Sequence, residues 1–178
     1  MKWYFWLSGF FFIIGLLYSA FNNELLVVQL PFNKAIDQQE TTTKIKKKIV
    51  LHYWQHEAWH SENGEILWSE NKAHNLTSLI NNWLAMLDEE GVTTKKISLQ
   101  LALLAASGTE AFISFDSYPF FKEASTYDKL QWIEGLLKTV RTNNLQLQTI
   151  RFLVHHQELL DAHLDFSCSW PIVGFLNQ

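Results

Sequence analysis

From Trp3 to Phe21 the chain runs nineteen residues without a charged side chain, WYFWLSGFFFIIGLLYSAF. At 1.5 Å per residue a helix of that length spans about 28 Å, close to the ~30 Å hydrocarbon core of a bilayer. Trp3, Tyr4 and Trp6 stand at one end and Tyr18 at the other, and amphipathic rings favour the headgroup level. Lys2 precedes the stretch, whereas Asn22, Asn23 and Glu24 follow it. The positive-inside rule then puts the N-terminus in the cytoplasm and the remainder across the membrane. A cleaved signal peptide is the competing reading. It wants small residues at −3 and −1, and Tyr18/Ala20 fails at −3. We therefore expect an uncleaved signal anchor over 1–22, a stalk over 23–44 and one domain over 45–178.

Composition narrows the function classes. Apolar residues make up 48% of the 178 residues, enough for a real core. The 14 basic and 18 acidic side chains leave a net charge of −4, so nucleic acid is not an expected partner. One cysteine, Cys168, excludes an internal disulfide, and a small buried hydrophobe is its expected role. No GxGxxG, GxxxxGK[ST] or GxSxG is present, so no phosphate-cradling loop or nucleophile elbow is encoded.

Within the domain, Ile49–Trp54 reads as a strand. The polar run His56–Glu65 reads as a loop ending in an Asn63-Gly64 turn, with a short strand at Glu65–Asn71. Leu76, Leu79, Ile80, Trp83, Leu84 and Leu87 lie at helical spacing, with Gly91 as the stop. The runs Ile97–Ala105 and Ala111–Asp116 form a hairpin pattern. Ser125 or Thr126 can cap a helix to about Arg141. Thr149–His155 and Leu164–Phe166 read as the last strands. The order predicts an α+β fold, a small mixed β-sheet with two main helices packed on it, preceded by the transmembrane helix.

Several residue groups invite chemistry. His56-Glu57-Ala58-Trp59-His60 matches HExxH, which on a helix places two zinc-binding histidines on one face with Glu57 as general base. His52 extends the spacing, and Glu70, Glu89 or Glu90 would have to complete the ligand set. The preceding apolar run reads as a strand, however, and on a strand or loop that convergence is lost. A membrane-anchored zinc hydrolase is therefore the alternative reading rather than the preferred one, and no metal or other cofactor is expected. His155-His156 reads as an exposed strand end, and Ser114 and Ser167 lack the surroundings of a triad. The cluster Lys44, Lys46, Lys47 and Lys48 reads as a solvated strand start. Tyr118-Pro119-Phe120-Phe121 is an aromatic loop, and Tyr118, Phe120 and Phe121 are candidate partner-surface residues.

One resemblance spans about residues 45–175. Ser107–Asp116 (SGTEAFISFD), bearing Gly108, Leu130–Thr142 (LQWIEGLLKTVRT), Thr149–Val154 (TIRFLV) and His163-Leu164-Asp165-Phe166-Ser167 with Pro171 behind it follow in this order. Together they resemble the GerMN domain of sporulation and spore-germination proteins. The chain departs from the family pattern at His155-His156-Gln157, where Asp-Gly is common, and at Ala162 before His163. The resemblance implies a non-enzymatic, extracytoplasmic scaffold or adaptor that works by self-association or by binding a protein partner. A link to sporulation itself does not follow from it. In this motif Asp165, between His163 and Ser167, would pin the last turn through local hydrogen bonds. A small-ligand-binding module is the third class of function the sequence leaves open.

Overall fold

The computed structural model describes residues 44–93, 95–120 and 124–175. The expected anchor and most of the expected stalk lie outside the described residues, as does Phe121. Among the described residues no helix is long and apolar enough to cross a membrane.

Strands β1 (Ile45–Gln55) and β2 (Ala58–Trp68) form an antiparallel hairpin. Ile49, Leu51 and Tyr53 alternate onto one buried face of β1. Helix α1 (Lys72–Glu89) follows, then the antiparallel pair β3 (Leu99–Leu104) and β4 (Glu110–Phe115). Helix α2 (Thr126–Thr142) crosses over to β5 (Thr149–Val154), which lies parallel to β4, as a parallel pair requires. Two short strands, β6 (Gln157–Glu158) and β7 (Trp170–Pro171), both pair with β5. Among the described residues the result is the expected α+β class with two helices, but with two sheets, one two-stranded and one five-stranded, where the sequence points to one.

The hairpin explains the difference. The loop expected over His56–Glu65 is instead strand, and Asn63-Gly64 lies mid-strand. Ile49 faces Gly64 in the register and is fully buried, and a Cβ on Gly64 would sit 3.3 Å from its Cγ1. This glycine makes room for a core side chain. The turn falls at His56-Glu57, both with positive φ, between paired Gln55 and Ala58. That is the backbone of a two-residue type I′ turn. His155-His156 repeats it between β5 and β6. Leu164–Phe166, expected as a strand, is irregular.

Both helices start and stop on local chemistry. The Asn71 side chain accepts from the His74 N–H at 3.1 Å, and the Ser125 hydroxyl accepts from the Asp128 N–H at 3.1 Å. At the end of α1 the Val92 N–H reaches the Leu87 carbonyl and the Gly91 N–H that of Asp88, with Gly91 at φ +65°. This is a Schellman closure, for which a left-handed glycine is the usual residue.

Helix α2 lies along the open edge of β1 and supplies partners for it. The Val50 N–H donates to Asn143 Oδ1 at 3.1 Å, and Asn143 Nδ2 donates to the Val50 carbonyl at 2.7 Å. The His52 N–H donates to Thr139 Oγ1 at 2.8 Å, and Trp83 Nε1 donates to the His52 carbonyl at 2.8 Å. Backbone groups that a neighbouring strand would satisfy are thus paired with helix side chains. The approach is close because residue 135 is glycine: a Cβ there would sit 3.2 Å from the His52 carbonyl oxygen.

Candidate functional site: an aromatic cleft

The tip of the hairpin, the end of α1, the loops around 92–97 and 118–120 and the first half of α2 enclose a cleft of about 520 Å³. Six aromatic rings form its walls: Tyr53 and Trp54 from β1, Trp83 from α1, Tyr118 and Phe120 from the loop after β4, and Trp132 from α2. Trp83 and Trp132 meet edge to face with centroids 4.9 Å apart, and Phe120 meets Trp132 at 6.0 Å. Such edge-to-face pairs fix ring orientation as well as burying area. Trp83 is further held by its bond to the His52 carbonyl.

Two of the lining residues each hold a buried polar atom without a hydrogen-bond partner, Gln131 Oε1 and Trp132 Nε1, neither of them open to the cleft. Gln131 is only 4% exposed. Two further unpaired donors, Arg151 Nε and Trp170 Nε1, do not line the cleft. The charged side chains on the cleft are Lys95 and Asp128, of opposite sign and both exposed. Burial, then the charges of Glu90 and Glu62 and a hydrogen bond to Glu90, raise the Tyr53 phenol, so it stays protonated across the physiological range.

The expected site residues are distributed differently. Tyr118 and Phe120 turn toward the core: Phe120 stacks on Phe166 at 5.9 Å and meets Tyr118 at 6.2 Å. The HExxH segment is the hairpin turn and the start of β2, so His56 and His60 do not share a helical face. His60 stacks on Tyr53 at 5.3 Å, and its Nε2 donates to the Gln55 carbonyl at 3.1 Å. Among the described residues no three His, Cys, Asp or Glu side chains are grouped to hold a metal ion.

Ser114 is buried and its hydroxyl accepts from the His156 N–H at 2.9 Å, a structural bond. Ser167 donates both its N–H and its hydroxyl to Asp165 Oδ1, at 2.9 and 2.6 Å. Those donors hold the Asp165 carboxyl below its ordinary value. Gly108 sits at φ +69° in the β3–β4 turn, and Pro171 pairs with Thr149 as part of β7. Of the lysine cluster, Lys47 lies 3.4 Å over the Trp68 ring and donates to the Asn143 carbonyl. Cys168, expected in the interior, is exposed. Ser167 before it is exposed and bonds locally to Asp165, and Ser169 after it is half-buried and donates to Glu110 Oε1, so the thiol lies outside on a turn held by its neighbours.

An α+β domain with a pre-formed aromatic cleft is therefore the class that fold and site define. No protein-family model matches the chain, and no curated protein matches it. Among solved structures, a presumed lipoprotein from Clostridium perfringens is similar over 72% of this chain and 87% of that one, at 17% identity and a TM-score of 0.40. A likeness at that level carries no inference for this chain.

Proposed function

We propose that the chain is a non-enzymatic binding domain held at the outer side of the cytoplasmic membrane, an adaptor whose working surface is the aromatic cleft. The observation that carries the binding part is the cleft itself, about 520 Å³ with six aromatic rings on its walls. Small-molecule sites commonly fall between ~300 and ~1,000 Å³, mostly apolar with a few placed polar groups. The envelope part rests on the uncharged stretch Trp3–Phe21 and on the resemblance to the GerMN family.

The cleft reading is tested with the full chain in lipid nanodiscs and indole, quinoline and 2-quinolinone as probes. Ligand-observed NMR, with empty nanodiscs as the blank, should show saturation transfer to at least one of them. Val92→Trp, which fills the cleft, should abolish it. Transfer to none, or equal transfer with Val92→Trp, overturns the cleft as working surface. The topology is tested through the exposed thiol of Cys168. A membrane-impermeant maleimide should label it in intact cells; labelling only after lysis overturns the outward orientation.

Self-association is the second reading. Leu101 and Leu103 lie on one face of β3, 39% and 49% exposed. Light scattering across a wide concentration range should show a monomer–oligomer equilibrium that Leu103→Lys shifts toward monomer. A single mass throughout would remove this reading.

A further inference from the structure

The open end of the β1–β2 hairpin lies opposite the turn at His56-Glu57, where the described chain begins. Two large aliphatic side chains stand exposed there, Ile45 at 58% and Leu67 at 50%. In the register Ile45 faces Trp68, and Leu67 faces Lys46. Lys44, Lys46 and Lys48 around them are all exposed, whereas Lys47 is taken up by the Trp68 ring and the Asn143 carbonyl. Lys72 adds a further exposed ammonium at the start of α1, and the acidic side chains nearby in sequence are Glu65 and Glu70. This end is therefore basic in a chain whose net charge is −4. Exposed apolar side chains rimmed by polar ones mark sites of protein or membrane contact. Aliphatic groups flanked by lysines suit an anionic bilayer surface, because lysine stems lie along the apolar boundary while their ammonium groups reach the phosphates.

We propose, resting on the reading of Trp3–Phe21 as a membrane anchor, that this end of the hairpin docks on anionic lipid headgroups. Lys44, Lys46 and Lys48 meet the phosphates, and Ile45 and Leu67 enter the interface. The place where the chain enters the domain favours this occupant. Residues 22–43 join the expected anchor to Lys44 and can span at most about 80 Å. Lys44 is the described residue nearest to the anchor along the chain. The covalent tether thus leads from the bilayer into the basic, apolar-tipped end, and a tethered surface needs only weak affinity to stay engaged. Tyr53, where the aromatic cleft begins, lies roughly 27 Å further along β1. Docking at the open end therefore leaves the cleft free.

The test uses the full chain in nanodiscs of phosphatidylcholine with phosphatidylglycerol, carrying a trace of lipid with a nitroxide on its headgroup. Methyl NMR reads which side chains approach the surface. The Ile45 and Leu67 methyls should broaden strongly, whereas those of Leu103 and Leu160, equally open at 49% and 75%, should not. Each lysine neutralised should lower the ratio of docked to undocked domain about fivefold. Lys44→Gln, Lys46→Gln and Lys48→Gln together should therefore return Ile45 and Leu67 to the level of Leu103, with an unchanged melting temperature. High salt should do the same to the native chain, which keeps the test independent of the variant. No excess broadening at Ile45 and Leu67 in anionic nanodiscs overturns the proposal. Excess that persists in pure phosphatidylcholine, or in the triple variant, overturns anionic headgroups as the occupant. So does a response of the Lys46 and Lys48 amides to soluble polyphosphate without broadening by anionic lipid. A chain that never enters nanodiscs sinks the anchor reading, and this inference with it; a chain that enters them without docking leaves the anchor standing.

Discussion

His56 and Glu57, and again His155 and His156, sit at φ values between +50° and +64°. Left-handed backbone costs a residue with a Cβ roughly 1 kcal/mol, and type I′ turns favour Asn-Gly for that reason. Replacing His56-Glu57 by Asn-Gly should therefore raise stability by about 1 kcal/mol, seen as a higher urea midpoint with an unchanged slope. A lower midpoint would show that the His56 or Glu57 side chain contributes contacts. The same residues explain why the sequence points to a different turn from the one the hairpin makes. His-Glu carries no turn signal, whereas Asn63-Gly64 carries a strong one, and the turn is set by which face of β1 must be buried. Lys129 and Asp161 form the other residue-scale feature, a pair at 2.6 Å whose side chains are 0% and 3% exposed. Asp161 also accepts from the N–H groups of His163 and Leu164. Burial works against its charge, but the Lys129 hydrogen bond, these backbone donors and the Lys129 charge outweigh it and hold the carboxyl below its ordinary value. The unfolded chain then takes up the proton more readily. The pair's contribution is present above the unfolded carboxylate value of about 3.9 and is lost as pH falls through the lower folded value. Asp161→Ala takes the carboxylate away from a buried ammonium and should cost about 3–5 kcal/mol at neutral pH. It should also flatten the acid limb of a stability–pH profile; an unchanged limb would assign acid sensitivity elsewhere.

Helix α2 is the element on which the rest is organised. Ile133, Leu136, Leu137 and Val140 enter the core, Thr139 and Asn143 bind the edge of β1, and Gln131 and Trp132 face the cleft. Glu134 and Arg141 reach the C-terminal segment through the Phe175 N–H and the Ile172 carbonyl. The apolar stripe and the Ser125 cap made this helix legible in the sequence. Its polar bonds to β1 are not legible there, because they join residues 87 to 93 positions apart. Asn143→Ala leaves the N–H of Val50 without its side-chain partner and should destabilise the protein by about 1–3 kcal/mol. Hydrogen exchange should localise the effect: the Val50 amide should exchange faster relative to core amides of β4. Uniform acceleration across the protein would mean that the β1 edge does not open separately.

At the scale of the whole molecule, hairpin, helices and five-stranded sheet contribute to one buried cluster, from Ile49 and Tyr53 through Trp83 to Phe152 and Phe166. A two-stranded hairpin alone is marginal in water, so its order depends on that cluster. Urea unfolding followed by far-UV circular dichroism and by methyl proton NMR should therefore give coincident transitions. An early loss of strand signal would make the hairpin a separate unit. Class and helices could be read locally because period and caps are local. The split into two sheets and the cleft could not, since the cleft gathers segments from Tyr53 to Gly135 that share no motif. Three tryptophans, Trp54, Trp83 and Trp132, stand on its walls. The site therefore carries its own optical reporter. Anything that enters it must change the polarity around these indoles and the electronic coupling between Trp83 and Trp132, so occupancy can be followed by ultraviolet emission without attaching a label.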